Sequence, residues 1–213
     1  MAWISGNRHL TLAEMTNNAE IVQGYGVAQG WAPNAICAIL GNMSQESTIN
    51  PGIWGDYDQG GTPHAYGLVQ WNPYTNYANW AGAGWQDNGT RQLERITYEA
   101  ANGLQWSSVP PAPYTMTQFL YDRVTGIDTL TRYWCWYYER AGVQAMENRI
   151  YWANYWANNL NWDDPPHPPP PDPPSPDPPE PPDPGPDPPG PGPTPMFPYW
   201  ILFKFRGRGQ IWL

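Results

Sequence analysis

The chain has 213 residues, of which 14% are charged, and its formal net charge is −9 at pH 7. Nucleic-acid binding draws most of its affinity from Lys and Arg contacts to phosphates, so this composition argues against a nucleic-acid partner. The length allows one domain with a substantial core and further segments beside it.

Composition divides the chain into three segments. Residues 1–162 hold 12 of the 14 tryptophans, with seven basic and 12 acidic side chains. Residues 163–195 hold 20 of the 28 prolines, with seven acidic side chains and no basic one. The segment 163–195 is too polar to collapse and too rich in proline for a helix or a sheet. We predict a folded domain at 1–162, a Pro/Asp-rich spacer at 163–195 and a hydrophobic, cationic docking segment at 196–213.

The first two helices are marked by local signals. Thr11 and Glu14 form a capping box, which predicts a helix running from there toward Gly30. Pro33 suits the first turn of a second helix, and Pro51 forbids its continuation. The first 15 residues show no basic stretch followed by an apolar one, so no secretory signal is expected.

Glu46 continues the apolar stripe of the second helix. The stripe has helical spacing and consists of Ile36, Ile39, Leu40 and Met43. A carboxylate at the last turn of such a face lies where the chain leaves the core, half shielded from water. Shielding disfavours the charged form, which makes Glu46 a candidate general acid.

The stretch 53–71 is rich in glycine, aspartate and aromatic residues, which indicates a small irregular hairpin or loop region. Helical patterns resume at 91–104, 115–124, 128–140 and 144–160, and Thr115 with Gln118 forms a second capping box. We therefore predict a mainly α domain of the α+β kind, in which helices carry a small β-hairpin or loop lobe. Loops displayed on such a scaffold are where sites usually lie.

Cysteine and histidine patterns argue against a disulfide framework and a metal site. Cys37 lies in the apolar second helix, so it and Cys135 are expected to be separate buried thiols. No His or Cys pair has the spacing of zinc ligands, and we expect no metal and no cofactor.

Two motifs resemble the signature of the lysozyme superfamily, especially goose-type lysozymes and lytic transglycosylases. They are E-S-x-x-N-P at 46–51 and G-L-x-Q at 67–70. Together with "AICAILGNMSQESTINPGIW", "AYGLVQW", "RQLERITYE" and "YYERAG", they make residues 3–160 similar to the phage tail lysozyme family, as found at the tail tip of short-tailed Bacillus phages. The resemblance implies a lysozyme-like fold and a muramidase that cuts peptidoglycan glycan strands.

The resemblance also implies catalytic residues. Glu46 corresponds to the general acid of the family. Glycoside hydrolysis normally needs a second carboxylate, and the family pattern W-x-x-x-D favours Asp58 for this role. Asp56 stays open as the alternative, and so does the use of water by a weakly placed carboxylate.

The cleft of the family would be lined here by Trp54, Tyr66, Gln70 and Trp71. Gln70 would offer its amide to N-acetyl groups, whereas Trp71 could equally close the core beneath the loop. Glu139 and the arginine after it match a Y-E-R motif of the family, and we interpret this pair as structural.

Two further readings remain beside a muramidase: a lytic transglycosylase, which needs Glu46 alone, and a non-catalytic tail plug or wall-binding protein. The phage proteins that the chain resembles continue into a zinc peptidase, whereas residues 163–213 stand in that place here, so we expect cleavage of glycan strands only. Fully extended, the spacer could reach on the order of 100 Å.

The segment 196–213 is expected to dock on phage tail proteins. Its apolar run is too short for the roughly 20 residues of a spanning helix. Contact with a membrane surface through Trp200 and Trp212 remains open.

Overall fold

A computed structural model describes residues 1–55, 64–107 and 111–162 of the chain. Within these ranges lie seven α-helices: α1 Leu12–Ala28, α2 Pro33–Ser47, α3 Thr75–Ala81, α4 Gly89–Ala101, α5 Met116–Leu120, α6 Ile127–Tyr133 and α7 Met146–Asn159. The prediction of a mainly α domain is confirmed. The predicted spacer and docking segment, 163–213, lie outside the described residues.

The two capping boxes start helices where the sequence predicts them. Thr11 N donates to Glu14 Oε2 over 2.8 Å, and Glu14 N donates back to Thr11 Oγ1 over 3.4 Å. The corresponding distances between Thr115 and Gln118 are 2.8 Å and 3.2 Å. These reciprocal bonds satisfy backbone donors that a helix start leaves without partners, so α1 and α5 begin at fixed positions.

Helix α2 is the centre of the domain. It packs against α1, α6 and α7, and its predicted apolar stripe is completely buried. Gly41 lies at the crossing of α2 and α7, where an added Cβ would be 2.5 Å from the Arg149 carbonyl oxygen and 2.6 Å from Ala153 Cβ. The absence of a side chain at Gly41 allows the two helices to approach closely. As a result, side chains at the start of α7 lie over the end of α2.

The irregular lobe after α2 is held mainly by aromatic packing. Within the described residues the predicted hairpin amounts to two isolated antiparallel bridges, Trp54 with Tyr66 and Tyr66 with Trp71. The Tyr66 ring lies 4.7 Å from the Trp54 ring and 4.8 Å from the Trp85 ring, centroid to centroid. Edge-to-face pairs of this kind stabilise a loop without a sheet.

Three helical details differ from the sequence prediction. The helix predicted at 115–124 extends only over Met116–Leu120. The predicted helix 128–140 is α-helical only to Tyr133 and continues as a π-helical segment, Trp134–Glu139. The short helix α3 was not predicted. Cys37 and Cys135 are buried and free, which agrees with their interpretation as separate thiols. None of the helices in the described ranges is long and apolar enough to span a membrane.

Candidate active site

An open cleft of about 480 Å³ lies beside the C-terminal end of α2. Its walls come from that helix, the irregular lobe, the N-terminal segment and the end of the π-helical segment. Of the predicted site residues, the cleft brings together Glu46, Trp54 and Gln70.

Glu46 stands at the last turn of α2, and 19% of its side chain is exposed. The helix ends directly after it, because Thr48 and Ile49 adopt left-handed backbone conformations with φ of 55° and 56°. The carboxylate therefore lies at the border between core and cleft, as the apolar stripe predicts.

Two other residues of the E-S-x-x-N-P motif hold the chain around Glu46. Ser47 Oγ donates to the Leu68 carbonyl oxygen over 2.9 Å, which ties the helix end to the lobe. Asn50 Nδ2 donates to the carbonyl oxygens of Gly6 and Arg8 over 2.7 Å and 2.6 Å. These hydrogen bonds give the buried side chains of Ser47 and Asn50 their partners. Ser47 and Asn50 therefore position the chain around Glu46.

Arg149 of α7 is the charged partner of Glu46. Its Nη2 lies 2.5 Å from Glu46 Oε1, and only 1% of its side chain is exposed. Nη1 donates to Asn42 Oδ1 over 2.9 Å, and Nε donates to the Gln144 carbonyl oxygen over 2.6 Å. The guanidinium thus donates to three different acceptors, which fixes its orientation toward the Glu46 carboxylate.

Glu139, at the end of the π-helical segment, lines the same cleft. Trp134 Nε1 donates to its Oε1 over 2.7 Å. Burial and the negative charge of Glu46 raise the pKa of Glu139 well above its ordinary value, while Trp134 and Arg149 act in the opposite direction.

The structure shows no ion pair between Glu139 and Arg140. The Arg140 guanidinium instead donates to the Gln105 carbonyl oxygen over 2.9 Å. The interpretation of these two residues as a structural couple therefore has no support in their contacts, and Glu139 belongs to the cleft.

Trp54 and Gln70 both line the cleft. Gln70 has φ of 51°, and its Nε2 donates to the carbonyl oxygens of Gly67 and Ile53 over 3.0 Å and 3.3 Å. These bonds fix the amide with both hydrogens directed inward, so its Oε1 is the atom left to accept from a bound molecule.

Residues 17–160 match the family model described as phage tail lysozyme. The chain belongs to the phage tail lysozyme family. It is also 39% identical over 158 residues to Morphogenesis protein 1 of Bacillus phage B103. The aligned region covers 73% of this chain and 42% of that relative. The chain thus spans about two fifths of the length of that relative.

The other two predicted cleft residues lie in the core. Tyr66 is 1% exposed and Trp71 is 2% exposed. The Trp71 ring stacks on Tyr77 at 4.9 Å, and its Nε1 donates to Glu99 Oε1 over 3.2 Å. The placement of Trp71 corresponds to the alternative in which it closes the core beneath the loop.

The candidate second carboxylates, Asp56 and Asp58, lie outside the described residues. Among the residues that the structure does describe, no group of three or more His, Cys, Asp or Glu side chains could hold a metal ion.

Sequence reasoning missed Arg149 as a candidate site residue. A signal was present, since Arg149, Ala153 and Trp156 have the spacing of one buried face of α7. An arginine on such a face needs a buried acceptor. Its acceptor, Glu46, is 103 residues away in the chain, which local patterns do not show.

Proposed function

We propose that this protein is a virion-associated peptidoglycan hydrolase, a muramidase that cleaves the β-1,4 bond between N-acetylmuramic acid and N-acetylglucosamine at the phage tail tip. Cleavage would open the host cell wall for genome entry. The observation that carries the proposal is Glu46 at the end of α2, partly exposed in an open cleft and held by Arg149. Membership of the phage tail lysozyme family supports the same reaction class.

Glu46 would act as the general acid. It would give its proton to the glycosidic oxygen while the bond from that oxygen to the anomeric carbon breaks. The carboxylate left behind would be stabilised at once by the Arg149 guanidinium, 2.5 Å away. Asp58 is our candidate for the second carboxylate, acting as base, nucleophile or stabiliser of the sugar cation, with Asp56 as the alternative.

The cleft would bind the glycan through its aromatic and amide groups. The Trp54 ring, 8% exposed in the cleft wall, would contact the apolar face of a sugar ring. Gln70 Oε1 would accept a hydrogen bond from the N–H of an N-acetyl group. Tyr66 and Trp71 would not contact the glycan, and their packing in the core would keep the irregular lobe in place.

The similarity to a phage morphogenesis protein supports a place in the virion. We propose that residues 196–213 dock on phage tail proteins and that the spacer holds the enzyme away from them. An acidic enzyme free in solution would be repelled by an anionic cell wall. A tether removes that difficulty, because the linker then sets the local concentration of enzyme at the wall.

Mass spectrometry of the soluble fragments released from purified peptidoglycan tests the proposal, with the full chain and its Glu46→Gln variant compared. Reducing-end muramic acid from the wild type alone is the expected result. Anhydro-muramic ends would identify a lytic transglycosylase instead. Wall binding without fragments from either protein would overturn the enzyme proposal in favour of a tail plug or wall-binding protein.

A matched pair of variants tests the second carboxylate. Asp58→Asn is expected to lower kcat by about 10²-fold or more, the usual contribution of such a group. Asp56→Asn removes the same charge two residues away and is expected to keep most of the activity. The reverse result would assign the role to Asp56, and two active variants would leave Glu46 as the one required carboxylate.

A further inference from the structure

A second cavity lies at the opposite end of α2 from the cleft. It has a volume of about 590 Å³, and α1, α2, the start of α6 and the end of α7 contribute to its walls. Pro33, Asn34 and Cys37 of α2 line this cavity, whereas Glu46 lines the cleft. Thirteen residues separate Pro33 from Glu46, which is roughly 20 Å along a helix. A chain bound in the cavity would therefore leave the cleft open.

Two tryptophans of the lining carry buried indole N–H groups that have no hydrogen-bond partner among the described residues. They are Trp31, between α1 and α2, and Trp162, which follows α7. Trp31 as a whole is only 2% exposed. A buried donor without an acceptor costs free energy, and nearly all such groups in native proteins have a partner. The pair of indoles therefore indicates an acceptor that belongs in this cavity.

Packing holds the Trp31 ring in place. The Tyr25 ring meets it edge-on, with 5.6 Å between the ring centroids. On its other contacts the ring lies against the backbone of α1, where a Cβ added to Gly26 would be 3.1 Å from Trp31 Cε3. The backbone N–H of Trp31 donates to the Gly26 carbonyl oxygen over 2.9 Å. Because the ring is fixed, an acceptor has to come to the indole.

The rest of the lining suits an apolar chain that offers acceptors. Val27, Ile127 and Ala157 contribute apolar side chains, and Val27 is 57% exposed. The side-chain amides of Gln23 and Asn34 already donate, to the Asn161 carbonyl oxygen over 2.8 Å and to the Thr125 carbonyl oxygen over 3.1 Å. The two indoles are thus the donors that remain to be satisfied.

The sequence directly after Trp162 has this chemistry. Residues 163–171 read DDPPHPPPP and include six prolines. Proline has an apolar ring and no backbone N–H, so its carbonyl oxygen accepts hydrogen bonds while the residue brings no donor of its own. Proline-rich segments bind grooves lined by aromatic side chains through these two properties.

We propose that residues 163–171 bind in this cavity and that their carbonyl oxygens accept from the Trp31 and Trp162 indoles. The chain already reaches the cavity, because Trp162 lines it and Gln23 of α1 holds the preceding residue, Asn161. Nine residues in the polyproline II conformation span roughly 28 Å, which is enough to cross a cavity of this size. Covalent attachment beside the cavity also gives the segment a high local concentration there.

The proposal goes beyond the muramidase function and does not depend on it. With its first residues bound at the start of α2, the spacer would continue from the end of that helix opposite Glu46. The attachment point of the spacer and the open cleft would then lie at different ends of one rigid helix. Binding of the spacer would therefore orient the domain without covering the cleft.

The test follows the indole ¹H–¹⁵N NMR signals of Trp31 and Trp162 in the full chain, assigned with Trp31→Phe and Trp162→Phe. An early-spacer variant replaces four prolines by glycine, which removes their rings and the fixed φ that favours an extended chain. Its changes are Pro165→Gly, Pro166→Gly, Pro168→Gly and Pro169→Gly. We expect both indole signals to move and the Trp31 N–H to exchange with water about tenfold faster or more.

A late-spacer variant is the matched control. It carries the same four changes in the same PP-x-PP pattern farther along the spacer, at Pro178, Pro179, Pro181 and Pro182. Its indole signals are expected to coincide with those of the wild type. Unchanged signals in the early-spacer variant, or equal changes in both variants, would overturn the proposal.

Nuclear Overhauser effects between the Trp31 indole and ¹³C-labelled prolines give a direct second measurement. Contacts to prolines of the spacer should be present in the wild type and lost in the early-spacer variant. Contacts that survive there belong to prolines of the folded domain, such as Pro33, which also lines the cavity. A wild type with no spacer contacts would overturn the proposal.

Two other occupants of the cavity would give different results. If a second copy of the chain supplied the acceptor, the Trp31 signal would depend on protein concentration. If the cavity bound glycan, an N-acetylglucosamine oligomer would shift the Trp31 signal equally in the wild type and in the early-spacer variant. Either result would overturn binding of residues 163–171 to their own domain.

Discussion

Arg149 and Glu46 are 103 residues apart in the chain, yet Arg149 Nη2 and Glu46 Oε1 lie 2.5 Å apart where the start of α7 crosses the end of α2. The ion pair is part of the packing of these helices as well as of the cleft. Asn42, one turn before Glu46, accepts from the same guanidinium. The residue that we assign to the chemistry is therefore held by the most central helix contact of the domain.

Replacing Arg149 by Met should lower the free energy of unfolding by about 3 kcal/mol, the lower part of the usual range for breaking a buried pair. The substitution leaves the Glu46 charge without its partner and frees the Gln144 carbonyl oxygen and Asn42. Urea unfolding measures the loss. Combining Arg149→Met with Glu46→Gln should cost less than the sum of the single changes, by about 1 kcal/mol or more. Additive costs would mean that the pair contributes nothing specific.

Replacing Gly41 by Ala tests the close approach of α2 and α7. The new Cβ would meet the Arg149 carbonyl oxygen and Ala153, so the helices must separate, at a cost of about 1–3 kcal/mol. Because Arg149 moves with α7, activity should fall as well. Thermal unfolding and peptidoglycan turnover report the two effects.

Gly24→Ala is the matched control for Gly41→Ala. Gly24 lies inside α1, where an added Cβ meets nothing within 4 Å. Alanine there should stabilise the domain by about 0.5–1 kcal/mol without affecting turnover. If Gly41→Ala behaved like Gly24→Ala, the interhelical contact would not position the site.

Features set by neighbouring residues could be predicted from the sequence. The Thr11–Glu14 capping box and the Pro33 start depend on bonds within one turn, and α1 and α2 begin accordingly. Glu46 was found because the apolar stripe before it shows which face of α2 is buried.

Features set by residues that are far apart in the chain could not be predicted from the sequence. The π-helical segment has a spacing of aromatic residues that suits an α-helix equally well, so its change of pitch was not visible. The burial of Trp71 depends on Glu99, which accepts from the Trp71 indole and also from the Tyr138 hydroxyl, over 2.6 Å. Such contacts exist only once α4 and the π-helical segment have packed together.

Trp54 and Trp71 should respond differently to replacement by Phe. Trp71→Phe removes the indole donor to buried Glu99 and should destabilise the domain by about 1–3 kcal/mol. Trp54→Phe shrinks a ring in the cleft wall and should raise KM about fivefold, equivalent to about 1 kcal/mol of lost contact. Unfolding curves and initial rates on glycan fragments separate the two effects. A raised KM for Trp71→Phe with unchanged stability would return Trp71 to the substrate site.

The stability of the domain should depend on pH through Glu139. Its pKa is raised in the folded state, by burial and by the charge of Glu46, above the value of about 4.3 expected in the unfolded chain. Between these two values the folded state binds more protons than the unfolded state. The free energy of unfolding contributed by Glu139 therefore falls as pH rises, by up to about 1.4 kcal/mol per pH unit.

Glu14 shows the opposite sign, since its hydrogen bond with Arg8 lowers its pKa to about 2. Its contribution is complete above the unfolded value and is lost as pH falls toward 2. Above pH 5 the contribution of Glu14 is constant, so a change of stability with pH there can be assigned to Glu139.

Urea unfolding of Glu139→Gln tests this. The free energy of unfolding of the variant should rise steadily relative to that of the wild type as pH rises from about 5, because the variant has no proton to lose at this position. The matched control Glu147→Gln, which removes one negative charge from the exposed start of α7, should run parallel to the wild type. Parallel curves for Glu139→Gln as well would show that Glu139 ionises in the folded domain as it does in the unfolded chain, and that the cleft holds no proton there.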